Sequence, residues 1–143
     1  MDRKKVSNIY KWKLEDMYKT ISDYKTDIEV IKKQSKNLSN YKGKIMSNSS
    51  NLLKVLELDE KIGIITEKLY VYINMKLHED TRVSKYQELS GNLNIVLNEI
   101  NETLSFIVPE ILEKEYKLVR KYIKENKSLK RFEFLLETLF NEK

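Results

Sequence analysis

The sequence predicts an all-α fold, an antiparallel bundle of about five helices, and three observations carry that expectation. Apolar residues recur at helical intervals along most of the chain. Breakers are scarce, with three glycines and one proline in 143 residues, too few for the tight turns of a β-sandwich or barrel. Apolar residues make up 41% and charged residues 34%, enough of each to give every helix one dry face and one wet one.

The chain opens with a basic segment, residues 1–11, and residues 12–143 read as a single helical domain. A first long helix is expected from about Ser22 to Asn40. Its stripe is Tyr24, Ile28, Ile31 and Leu38, on one face, with Ser22 and Asp23 supplying the N-terminal cap. "NYKGKIMSNSSN" breaks the pattern with Gly43 and a polar cluster, which reads as a loop and a cap. The second helix should run from about Asn51 to Leu77 on Leu52, Leu53, Leu56, Ile62, Ile65, Leu69, Tyr72 and Ile73. Gly63 in its middle costs about 1 kcal/mol against alanine, which argues for a neighbour packed closely there.

"HEDTR" interrupts next, and Asp80 or Thr81 should cap a third helix bearing Tyr86, Leu89, Leu93, Val96, Leu97, Ile100 and Leu104. The only proline lies in "SFIVPEIL". Proline suits a helix's first turn but not its interior. One helix should therefore end near Phe106 and another begin at Pro109, with Glu110 near its positive end. That fourth helix carries Leu112, Tyr116, Val119 and Ile123, and a fifth begins at Ser128. "YVYI" would fit a strand but lies inside a longer helical period. The last stretch, "RFEFLLETLFNEK", is densely apolar with no glycine or proline to close its helix, so the chain reads as cut from something longer.

Composition narrows function. With no cysteine, disulfides, thiolate catalysis and cysteine-ligated metals are excluded, and a reducing, cytoplasmic setting is expected. The basic N-terminus has no apolar run behind it, and no uncharged stretch approaches the ~20 residues of a membrane span, so no membrane role is expected. The net charge of +5 is spread over lysines interleaved with glutamates, which does not make a nucleic-acid footprint.

The one histidine, His78, opens like the zinc-protease motif HExxH, but Arg82 holds the place of the second histidine. No Ser/His/Asp set and no phosphate loop is present. No catalytic, metal or cofactor residue is expected, and the chain alone should not be an enzyme. Nine tyrosines could line a peptide groove, Tyr70, Tyr72 and Tyr86 foremost, against the plainer reading that each packs between helices with its hydroxyl wet. "KEYKLVRKYIKENKSLKR" sets a basic face opposite an apolar one, with a solvated exterior as the plainer reading.

Four stretches then stand in a telling order: "WKLEDMY" at residues 12–18, "YKGKI" at 41–45, "LYVYINMKLHEDT" at 69–81 and "SFIVPEI" at 105–111. Together they resemble the N-terminal region of oligoendopeptidase F, in the M3 family of zinc metallopeptidases, over nearly the whole chain from Trp12. The resemblance implies a truncated N-terminal domain of a larger helical enzyme. Its catalytic domain, the zinc-binding HExxH and the oligopeptide substrates would then belong to the longer polypeptide, with no zinc ligand here. It implies that the helices form a wall of the peptide cleft and limit access to short peptides. It further implies that Trp12, Leu14 and Tyr18 anchor the entering chain, and that Phe106 and Pro109 make the bend between two packed helices. The rival expectation is a free-standing helical interaction module. A cut fragment should expose an apolar face on its last helix and associate with itself.

Overall fold

The computed structural model describes residues 18–79 and 84–142. Among them every regular element is helical: α1 (Ile21–Ser39), α2 (Ser49–Glu79), α3 (Ser84–Thr103), α4 (Ile107–Leu112), α5 (Tyr116–Glu125) and α6 (Glu133–Asn141). Two 3₁₀ segments, Ile45–Ser47 and Lys127–Phe132, lead into α2 and α6. The all-α expectation is met.

The helix starts follow from side-chain capping. Thr20 Oγ1 accepts the Asp23 N–H at 3.2 Å, so the cap of α1 is Thr20 rather than the expected Ser22. The spacing of three between Thr20 and Asp23 is that of a capping box, with an aspartate at its fourth position. At α2, Asn48 is extended, with φ −161° and ψ 169°, and its Oδ1 accepts the Asn51 N–H at 2.8 Å. The polar cluster read as a loop and cap is therefore both. The expected cap at Asp80 or Thr81 lies outside the described residues.

Two compact units divide the described residues, one of residues 18–33, 62–79 and 84–100, the other of residues 34–61 and 101–142. The first unit's core holds Tyr18, Tyr24, Ile31, Leu69, Tyr72 and Leu93, all buried. The second is built on Leu38, Ile45, Leu52, Ile111, Val119, Leu129 and Leu136, each fully buried. In it α5 and α6 pack on each other and on the 3₁₀ segment Lys127–Phe132, and α4 packs on Ile45–Ser47 and α6.

Three expectations change in detail. Gly63 is exposed, and a Cβ added there would meet nothing within 4 Å, so no packed neighbour explains it. The expected fourth helix is two: α4 stops at Leu112, Glu115 turns extended with ψ 149°, and α5 begins at Tyr116. No glycine or proline marks that break. The helix that follows it is tied from outside, with Val119, Tyr122 and Ile123 buried and the Tyr122 hydroxyl donating to the Met46 carbonyl at 2.7 Å. The turn around the proline also shifts, because α3 ends at Thr103 and α4 begins at Ile107, so Pro109 is the third residue of its helix rather than the first. The first α-helical bond there runs from the Glu110 N–H to the Phe106 carbonyl at 3.0 Å. The proline thus stands where its missing N–H would have had no helical partner.

Candidate functional site

Two clusters bring together the stretches that the sequence singles out. In the first unit, Tyr18, the last residue of "WKLEDMY", meets Tyr72 of "LYVYINMKLHEDT" edge-on, with ring centroids 5.1 Å apart and planes at 86°. Tyr24 completes the group, 5.8 Å from Tyr18 and 5.3 Å from Tyr72. Such ring pairs contribute about 0.5–1.5 kcal/mol beyond area burial. The Tyr18 hydroxyl donates to Asp27 Oδ2 at 2.7 Å, and the Lys68 ammonium lies 4.6 Å from the Tyr18 ring centroid.

Burial and then the Asp27 carboxylate hold the Tyr18 phenol far above its usual range. Burial, with Tyr72 beside it, pushes Tyr24 up to about 12. The Tyr24 Oη is buried with no hydrogen-bond partner among the described residues. These phenols are poor proton donors near neutrality, so the cluster works as packing rather than as acid–base chemistry.

In the second unit a carboxylate performs the joining. Glu110 of "SFIVPEI" accepts the Gly43 N–H at 2.6 Å and the Ile45 N–H at 2.9 Å, both from "YKGKI". Gly43 reaches this geometry with φ +80°, a conformation in which a Cβ is strained. Glu110 thereby satisfies two loop donors that no helix or strand pairs. Charge-assisted bonds to backbone N–H groups are among the stronger ones in proteins.

The individual expectations fall out unevenly. Tyr70 is 54% exposed and Tyr72 only 3%, while Tyr86 is half-buried. Of the three, only Tyr70 presents most of its side chain; Tyr72 is a core residue, and its substitution would act through packing. Tyr18 is buried; Phe106 is half-buried at the start of α4, and Pro109 is exposed. Trp12 and Leu14 lie outside the described residues. His78 and Glu79 are exposed at the end of α2, and Glu79 pairs with Lys76 Nζ at 3.5 Å. Among the described residues no group of three or more His, Asp or Glu side chains could hold a metal ion, so they do not fit a zinc centre. No described helix is long and apolar enough to cross a membrane.

The Glu110 clasp and the Tyr122–Met46 bond were not legible from sequence. Each pairs residues more than 60 positions apart, and no local pattern marks such a pairing.

Comparison with known proteins follows the same motifs. No protein-family model matches the chain. It is 27% identical over 142 residues to the group B oligopeptidase PepB of Streptococcus agalactiae, covering 99% of this chain and 24% of that protein. Oligopeptidase PepF of Bacillus subtilis is 28% identical over 142 residues, with 99% and 21% covered. The plasmid-borne oligoendopeptidase F of Lactococcus lactis subsp. cremoris is 29% identical over 143 residues, with 99% and 24% covered. The chain thus resembles oligoendopeptidase F throughout, and spans about a quarter of the length of the curated relatives it matches. The crystal structure of oligoendopeptidase-F from Enterococcus faecium superposes with a TM-score of 0.76 at 22% identity, over 85% of this chain and 24% of that one. That likeness establishes a shared fold.

Proposed function

We propose that this chain is the non-catalytic N-terminal helical part of a longer, zinc-dependent cytoplasmic oligopeptidase of the oligoendopeptidase F type. One observation carries the reading: the similarity runs through 99% of the chain yet takes in only 24% of PepB. In that setting the helices form part of the wall of the peptide cleft and restrict entry to short peptides. Zinc, and the water it activates, would belong to the remaining polypeptide, to which this chain contributes shape and contact. Tyr70, exposed on α2, is the tyrosine placed to meet a passing peptide, with Tyr86 second. Tyr72 contributes from within the core, by fixing the surface around it.

The last helix supports the idea of an absent partner. Phe134 is 80% exposed and Leu135 45%, an apolar presentation that water alone does not favour. In the reading above it is covered by the rest of the enzyme, and in the isolated chain it favours self-association. A free-standing interaction module would use the same two residues for a partner helix, and that second reading rests on them alone.

The test is an immunoprecipitation from the source cell with an antibody against this chain. Captured material should hydrolyse short fluorogenic peptides and lose that activity to a chelator, while the purified 143-residue chain should not hydrolyse them. Captured material without chelator-sensitive peptidase activity would contradict the proposal and favour the module.

A further inference from the structure

The second unit holds a concavity between α5 and α6. It measures about 270 Å³ and is lined by Tyr116 and Arg120 of α5 and by Glu137, Phe140 and Asn141 of α6. That is smaller than the ~300–1,000 Å³ of a site enclosing a whole small molecule, and so suits one residue rather than a full peptide. The Tyr116 and Phe140 rings line it 5.2 Å apart, tilted at 60°.

The guanidinium of Arg120 stacks over the Tyr116 ring, 5.1 Å from its centroid. Arg120 forms no ion pair with any described residue. The near carboxylate, Glu137, lines the same concavity and makes no ion pair with Arg120. A ring-stacked guanidinium with its fork unengaged is suited to bidentate recognition of a carboxylate. Lys117, Lys121 and Lys124 of α5 lie near Arg120, with Glu115 and Glu125 among them and Lys121 paired with Glu125 at 3.9 Å, which leaves a modest excess of positive charge to draw anions.

We propose that this concavity binds the C-terminal residue of a short peptide, with Arg120 holding the free α-carboxylate and the Tyr116–Phe140 pair holding an apolar or aromatic side chain. Glu137 sets a negative group in the same small space and discriminates against a terminal aspartate or glutamate. That the ligand is a peptide rests on the function proposed above; the demand for one free carboxylate beside an apolar side chain rests on the site's own chemistry. The role is to hold a peptide end at the surface, apart from any chemistry on the peptide bond.

The test is an NMR titration of the 143-residue chain with three short peptides: one ending in phenylalanine with a free carboxylate, its C-terminal amide, and one ending in aspartate. The free acid should shift the resonances of Tyr116, Phe140 and Asn141 and bind at least ten-fold tighter than the amide or the aspartate peptide. Arg120→Ala should bring the free acid down to the level of the amide, and Arg120→Lys should restore part of the difference. Because Arg120 is exposed, the variants should keep the helical circular dichroism of the parent. Equal binding of acid and amide, shifts elsewhere on the chain, or no binding of the free acid would overturn the proposal. The titration uses the chain alone, so its failure leaves the immunoprecipitation result standing, and the reverse also holds.

Discussion

Replacing Gly63 by alanine adds a Cβ to an exposed helix interior, where nothing lies within 4 Å. The change restricts the unfolded chain and removes a poor helix former, so stability should rise by about 0.5–1 kcal/mol, read as a higher urea midpoint. At Gly43 the same substitution meets a φ of +80° and should cost about 1–2 kcal/mol, because a Cβ crowds the carbonyl in that conformation. Glu110→Ala leaves the Gly43 and Ile45 N–H groups without their carboxylate, a loss of about 1–3 kcal/mol. Glu110→Gln keeps an acceptor and should recover part of it. If Gly43→Ala proved harmless and Glu110→Ala neutral, the joining of the two motifs would not be what fixes that loop.

At the scale of the elements, how much was legible depended on the range of the interaction. The stripe Tyr24, Ile28, Ile31, Leu38 placed α1 within a residue at each end, because helical periodicity is local. The break at Glu115 was invisible, because the stripe Leu112, Tyr116, Val119, Ile123 continues through it, while α5 is seated by tertiary packing and by the bond from Tyr122 to Met46. The cap at Thr20 was missed although its signal, a threonine three residues before an aspartate, is in the sequence. Pro109→Ala should change stability by no more than about 1 kcal/mol, since Glu110, the residue after the proline, makes the first helical bond. A much larger loss would restore the proline to a corner-fixing role.

The tyrosine cluster, with Tyr24 on α1 and Tyr72 on α2, makes a pH prediction. Tyr18 and Tyr24 both have raised phenol values in the folded chain, so the folded state keeps protons that the unfolded state gives up. Their contribution is therefore complete below the ordinary phenol range of about 10 and is lost as pH rises through the folded values. Denaturant midpoints should fall above about pH 10, and Tyr24→Phe should blunt that fall. Because its Oη has no partner among the described residues, the same variant should hold or raise stability at neutral pH. An unchanged alkaline profile in Tyr24→Phe would remove Tyr24 from this account.

For the whole molecule, sequence pattern reached the fold and the relationship to oligoendopeptidase F, while the concavity between α5 and α6 needed coordinates, since residues 116 and 140 belong to different elements. The four motifs meet in pairs, Tyr18 with Tyr72 and "YKGKI" with Glu110, in cores and loop joints. Their order was therefore readable as kinship before any of them could be read as chemistry. The central claim, that this chain serves a longer peptidase, is tested most directly by the mass of the native polypeptide in the source cell, detected with an antibody against this chain. A band several times heavier than 17.1 kDa is expected. A native polypeptide of 17.1 kDa would contradict it and leave a helical module whose partner meets Phe134 and Leu135.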